Sequence, residues 1–105
     1  MSFVRVASLS ELPENSLLGV ETPDGERVCL VNCGGEVSAL SDVCTHQAFP
    51  LSAGEVREDG TVECVWHGAR FDCRSGAVRA GPAEEPIGVY EVRVEGEQIL
   101  VGRRK

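Results

Sequence analysis

The sequence predicts an all-β domain, and three observations carry that expectation. Strand-like runs are short and rich in valine, isoleucine and leucine. Glycine-bearing turn signatures separate them at close intervals. Residues Ile87 to Val94 alternate, with Ile87, Val89, Glu91 and Arg93 on one face and Gly88, Tyr90, Val92 and Val94 on the other. Short strands at such spacing indicate a sandwich or a small barrel. At 105 residues the chain is a single domain, 1-105, by the usual length prior.

The elements follow in order. Phe3 to Val6 is a first short strand, and Ser8 to Leu12 makes one helical turn that Pro13 stops. Leu17 to Glu21 is a strand. In Pro23-Asp24-Gly25, proline pre-sets φ and glycine tolerates positive φ, so the chain turns into strand Arg27 to Asn32. Cys33-Gly34-Gly35 turns it again into Val37 to Leu40, a hairpin. From Ser41 to Gly54 there is no period. Glu58-Asp59-Gly60 leads into strand Thr61 to Val65, and a short strand lies near Ala69 to Asp72. Arg74-Ser75-Gly76 turns into Ala77 to Arg79, and residues 81–86 form an irregular loop. After Ile87 to Val94, Glu95-Gly96-Glu97 turns into a last strand, Gln98 to Val101. The outer strands are expected to form the base. A loop-rich insert of about 42-82 is expected to sit between them, and the tail Arg103-Arg104-Lys105 to be solvated and frayed.

Seventeen acidic against ten basic residues leave a formal charge of −7. Phosphate binding needs a basic footprint, so nucleic acid is excluded as the main partner. The charge suits brief docking on a basic surface, and equally it suits plain solubility. No stretch approaches the roughly 20 apolar residues of a membrane span, and the first residues lack the apolar run of a signal peptide. A cytoplasmic setting is expected. The five cysteines are an odd number for a disulfide framework. Cys29 and Cys33 lie four apart in a strand-like run, share a face, and read as small buried hydrophobes. Cys73 is the leftover cysteine that follows the second of the two motifs described next.

Those motifs are Cys44-Thr45-His46 and Cys64-Val65-Trp66-His67. Each supplies one thiolate and one imidazole, and both histidines of the chain are used. Two cysteines on one iron and two histidines on the other is the ligand set of an asymmetric [2Fe–2S] cluster. Zinc accepts the same four donors, but zinc fingers usually group cysteines with cysteines and histidines with histidines. Mixing them within each motif favours iron–sulfur, with Cys44, His46, Cys64 and His67 as ligands and one cluster per chain. Imidazole is neutral where thiolate is negative, so such a cluster accepts an electron more readily than an all-cysteine one.

With these motifs the chain resembles the Rieske ferredoxins over essentially its whole length. Cys44-Thr45-His46 fits the family's Cys-x-His, and Cys64 to Gly68 fits its Cys-x-x-His-Gly. Phe71-Asp72, Ser75-Gly76 and the proline loop Gly81-Pro82-Ala83 match flanking family sequence. The resemblance implies the Rieske iron-sulfur fold, an antiparallel β-sandwich base with a loop-rich cluster-binding subdomain. It implies that Cys44 and Cys64 hold the inner iron and that His46 and His67 hold the outer one near the surface. High-potential members carry a disulfide between the cluster loops, and the corresponding positions here are Phe49 and Trp66. Their hydroxyl donors correspond to Ala69 and Phe71, which have none. Fewer donors leave the sulfurs' negative charge less stabilised, which lowers the potential.

The resemblance therefore implies a low-potential electron carrier, not itself an enzyme. It would take one electron from a flavin-containing NAD(P)H reductase and pass it to a multicomponent, aromatic-ring hydroxylating oxygenase. Monomeric behaviour is expected. The chain has no nucleotide-binding glycine loop and no spare histidine for a mononuclear iron triad. The alternative is the small Rieske-like subunit of a cytoplasmic nitrite reductase, which shares the fold. Around the site, the amides of Gln47, Trp66, Gly68 and Arg70 are candidate donors to cluster sulfurs. Phe49, Pro50 and Leu51 are a candidate apolar rim. Asp42, Glu84 and Glu85 are surface charges, with steering as a lesser role.

Overall fold

The computed structural model describes residues 3–42, 50–64, 68–80 and 86–105. Strands β1 (Val4–Ser8), β2 (Ser16–Glu21), β3 (Arg27–Cys33) and β4 (Glu36–Ser41) come first. Four short ones follow: β5 (Glu55–Val56), β6 (Thr61–Glu63), β7 (Arg70–Asp72) and β8 (Val78–Ala80). The last two are β9 (Val89–Glu95) and β10 (Gln98–Arg104). Single 3-10 turns lie at Leu9–Glu11 and Leu51–Ala53. The all-β expectation holds.

One six-stranded sheet has the order β1-β10-β9-β4-β3-β2, and a four-stranded sheet has the order β5-β6-β7-β8. Every pairing is antiparallel. β4 and β9 pair directly, Ala39 opposite Tyr90 and Leu40 opposite Val89. The small sheet is thus inserted in sequence between two neighbouring strands of the large one.

β3 shows why the two sheets cohere. Its run Val28-Cys29-Leu30-Val31 is apolar without a break, and all four residues are fully buried. Successive strand side chains point to opposite faces, so such a run needs a core on each side. Val28 and Leu30 join Ala7, Leu12, Ala39, Tyr90, Ile99 and Val101 in one core. That core draws from β1 and β10 as well as β3, and Leu18 and Val20 of β2 pack against it, so the large sheet is curled around it. Cys29 and Val31 join Leu40, Leu51, Val62, Cys64, Ala69, Phe71, Cys73 and Ile87 in the other, which glues the small sheet to the large one. Each fully buried valine or leucine contributes about 1.5–3 kcal/mol. β9 divides its residues in the same way, Val89 with the second core and Tyr90 with the first.

The β3–β4 turn is local chemistry. Asn32 pairs with Val37 and Cys33 with Glu36, which leaves Gly34 and Gly35 as the two-residue connection. Their φ values are +64° and +97°. A two-residue hairpin turn matching strand twist needs positive φ at both central positions, and glycine adopts it without steric cost.

Two expectations are corrected. The C-terminal tail is not frayed. β10 runs on to Arg104, which pairs with Tyr90, and the Lys105 amide donates to the Val89 carbonyl at 2.7 Å. The Arg104 guanidinium also lies 5.9 Å from the Tyr90 ring centre, so an aromatic partner compensates its charge. The described part of the insert adds only four short strands, the first of them the two-residue β5. β9 begins at Val89, not Ile87, whose amide instead donates to the Gly76 carbonyl at 2.9 Å. Val65 and the loop 81–85 lie outside the described residues. Among the described residues no helix is long and apolar enough to cross a membrane.

Candidate metal centre

The structure describes the stems from which both motif segments spring. At the first, β4 ends at Ser41 and the Asp42 amide donates to the Arg27 carbonyl at 3.0 Å. The Leu51 amide then donates to the Asp42 carbonyl at 2.9 Å. The Asp42 carboxylate accepts the Ser52 amide at 2.6 Å and the Ser52 hydroxyl at 2.9 Å. Residues 42 and 51–52 are thereby clasped together at the ends of the segment that carries Cys44 and His46. β2 makes room for the clasp with Gly19, where a Cβ would lie 2.6 Å from Ser52 Oγ and 2.9 Å from Asp42 Oδ2.

At the second stem, β6 and β7 form a hairpin with Thr61 opposite Asp72, Val62 opposite Phe71 and Glu63 opposite Arg70. The Cys64 amide donates to the Ala69 carbonyl at 2.7 Å, one step further along. Gly68, just before Ala69, has φ +71°. The two stems meet. A Cβ at Gly54 would lie 1.8 Å from the Glu63 carbonyl oxygen, and β5 pairs with β6 immediately beyond.

Of the four sequence-predicted ligands, Cys64 is described. It is fully buried, in one core with Leu51, Ala69 and Phe71. Cys44, His46 and His67 lie outside the described residues, as do Gln47, Phe49, Trp66, Glu84 and Glu85. A buried cysteine at the end of the β6–β7 ladder, beside the stem of a second Cys-x-His segment, fits a metal ligand. The donor set of two thiolates and two imidazoles fits an iron–sulfur centre.

The other site expectations divide. Ala69 and Phe71 are fully buried beside Cys64, with no hydroxyl to offer. Leu51 is not a surface rim residue; it is fully buried beneath the stem. Asp42 is not a surface charge; it is 6% exposed and spent on the clasp. Cys29 is fully buried, and burial first, then the Asp42 charge, pushes its thiol pKa up. Cys73 stands at the far end of the β6–β7 ladder from Cys64, its amide on the Gly60 carbonyl at 3.0 Å.

Sequence reading missed Glu63. Its Oε1 lies 2.9 Å from Arg57 Nη1 and 3.9 Å from Arg70 Nε. Oε2 lies 3.1 Å from where a Gly68 Cβ would be. A carboxylate flanked by two guanidiniums thus abuts the second motif. Strand alternation does signal that Glu63 and Val62 face opposite ways, but not that two arginines converge on Glu63.

Comparison with known proteins follows the same lines. The Rieske [2Fe-2S] domain family matches residues 2–103. The biphenyl dioxygenase ferredoxin subunit of Pseudomonas sp. (strain KKS102) is 38% identical over 101 residues, 96% of this chain and 92% of that protein. The solved ferredoxin of carbazole 1,9a-dioxygenase from Nocardioides aromaticivorans IC177 superposes with a TM-score of 0.88 at 36% identity, covering 98% of this chain and 99% of that one. A chain in a solved complex of reduced oxygenase and oxidized ferredoxin in carbazole 1,9a-dioxygenase gives a TM-score of 0.89 at 27% identity, covering 98% and 95%.

Proposed function

Because the chain belongs to the Rieske [2Fe–2S] family, we propose that it is the ferredoxin component of a multicomponent, aromatic-ring hydroxylating oxygenase system. The observation that carries this reading is the end-to-end match with ferredoxin subunits of dioxygenases, over nearly the full length of both proteins. A Rieske domain implies a [2Fe–2S] cluster, and when bound it supplies a centre that gains and loses one electron. One cluster per chain would be held by Cys44, His46, Cys64 and His67, within an insert of about 42–82. The chain's own task is to hold and place it. The clasp at Asp42 and the β6–β7 ladder that ends at Cys64 are the two supports for this reading, and Cys64 is kept dry by Leu51, Ala69 and Phe71.

The protein acts in this reading as a carrier and not as a catalyst. It is reduced by a flavin-containing NAD(P)H reductase and docks briefly on a terminal oxygenase, as a monomer in the cytoplasm. The complex of oxygenase and ferredoxin among its structural relatives supports the second partner.

The test begins with the purified protein. It should be brown, hold about two irons and acid-labile sulfide per chain, and give a reduced-state paramagnetic signal of lower average g than all-cysteine clusters. Cys44→Ser and His67→Ala should abolish that signal, while Cys29→Ala and Cys73→Ala keep it. NADH with a reductase should bleach the visible absorption of the oxidised protein, and an added oxygenase should restore it. Colourless protein with one tightly bound zinc would overturn the cofactor, and a reduced protein that no oxygenase reoxidises would overturn the role.

A further inference from the structure

Two cysteines outside the ligand set come together across the seam between the sheets. Cys33 ends β3 in the large sheet, and Cys73 follows β7 in the small one. They are 40 residues apart in sequence, yet the fold brings both to the same place in the seam. Cys73 is 2% exposed and belongs to the core between the sheets, and Cys33 is half-buried against that core. Both line one solvent-open cavity of about 370 Å³ with Gly60, Asp72, Arg74 and Arg79. A second contact holds the same seam. Arg74 Nη2 lies 2.7 Å from Glu36 Oε1, and Glu36 is the residue paired with Cys33 across the hairpin.

We propose that Cys33 and Cys73 form a reversible disulfide that ties the small sheet covalently to the large one, and that a low-molecular-weight disulfide is its oxidant. The burial pattern assigns the order of events. Burial, followed by the Cys33 contact, pushes the Cys73 thiol up to about 12, so Cys73 is the poor initial nucleophile. Cys33, reached through the cavity, attacks first. Its thiolate displaces one glutathione from glutathione disulfide; the S–S bond breaks and the leaving thiolate takes the proton that Cys33 lost. The Cys73 sulfur then attacks Cys33 in this mixed disulfide, loses its proton, and expels the second glutathione as a thiol. Two protein thiols are oxidised by two electrons, and one disulfide is reduced to two thiols. The reverse exchange restores the pair. This inference does not depend on the metal centre, since neither cysteine is among its ligands.

The experiment uses the full cluster-loaded chain, kept anaerobic with excess glutathione disulfide and then quenched with an alkylating agent. Trypsin cuts after Arg27 and Arg57 and after Arg70 and Arg74, so the bond joins residues 28–57 to residues 71–74. Measured before alkylation, the intact mass should fall by about 2 Da, the two hydrogens lost in forming one disulfide, and after it the oxidised chain should carry two fewer alkyl groups than the reduced one. The linked peptide should be absent in Cys33→Ser and present in Cys29→Ser, with the visible spectrum of the cluster unchanged in both. Glutathione left on Cys33 with no link to Cys73 would overturn the proposal. So would a linked peptide that persists in Cys33→Ser, or two thiols that stay reduced throughout.

Discussion

Asp42 grips Ser52 with both carboxylate oxygens, Oδ1 on its amide at 2.6 Å and Oδ2 on its hydroxyl at 2.9 Å. The pair closes a loop of nine intervening residues, among them Cys44 and His46. Hydrogen bonds to a buried charged group are the strong kind, about 1.5–3 kcal/mol each. Asp42→Ala, which removes both, should therefore cost about 3–6 kcal/mol of stability and speed loss of iron to a chelator. Ser52→Ala, which leaves the amide bond in place, should cost about 1.5–3 kcal/mol. Urea unfolding and iron-release rates measure both, and equal effects from the two variants would contradict the two-oxygen grip.

Gly54 is expected to be the least replaceable glycine near the site. An added Cβ would sit 1.8 Å from the Glu63 carbonyl, which is backbone and cannot rotate away. Gly54→Ala should separate the two stems, costing roughly 3 kcal/mol or more. Cluster content should fall with it. Gly96→Ala is the control, because nothing lies within 4 Å of its Cβ position, although its φ of +62° carries a small strain. Iron per chain in the two purified variants distinguishes them.

The potential should lie near the low end of the Rieske range, roughly −150 mV. Ala69 and Phe71 are both buried beside Cys64 without a hydroxyl between them. Ala69→Ser with Phe71→Tyr should raise the midpoint, since each new donor stabilises the more negative reduced state. A redox titration of the double variant reads the shift. An unchanged midpoint in a folded double variant would show that these positions do not face the cluster sulfurs.

Asp72 sets a pH dependence in the turn after β7. Its Oδ1 accepts the amides of Ser75 at 2.9 Å and Arg74 at 2.8 Å, and its Oδ2 accepts from Arg79 Nη2 at 2.7 Å. The Ser75 and Arg74 amides chiefly, with Arg79 adding to them, lower its pKa to about 2. The unfolded carboxyl holds its proton more tightly than the folded one. The stabilisation is therefore complete above the ordinary aspartate value of about 3.9 and is lost as pH falls towards 2. Solvent screening leaves this on the order of 1 kcal/mol. The gap in urea midpoint between the wild type and Asp72→Asn should narrow from pH 6 to pH 3. A gap that stays constant would remove Asp72 from the acid response.

What was legible in the sequence is local. Turns at Pro23-Asp24-Gly25, Gly34-Gly35 and Gly96 are dictated by φ within a few residues, and each lies where its own chemistry places it. The paired Cys/His motifs announce their donor chemistry without any fold, because the thiolates and imidazoles and their order within each motif are set by the sequence itself. Tertiary structure decided what depends on distant partners. Strand period cannot say that β3 is buried on both faces, only that its run is apolar. Nor can it say that Asp42 turns inward to Ser52, that Arg104 finds Tyr90, or that Cys33 and Cys73, 40 residues apart, line one cavity. Arg104 reaches Tyr90 by strand pairing within the large sheet, and the cysteines come together because the two sheets share one core. Which side chains line that shared seam is settled by how the sheets pack, and not by any neighbour in the chain.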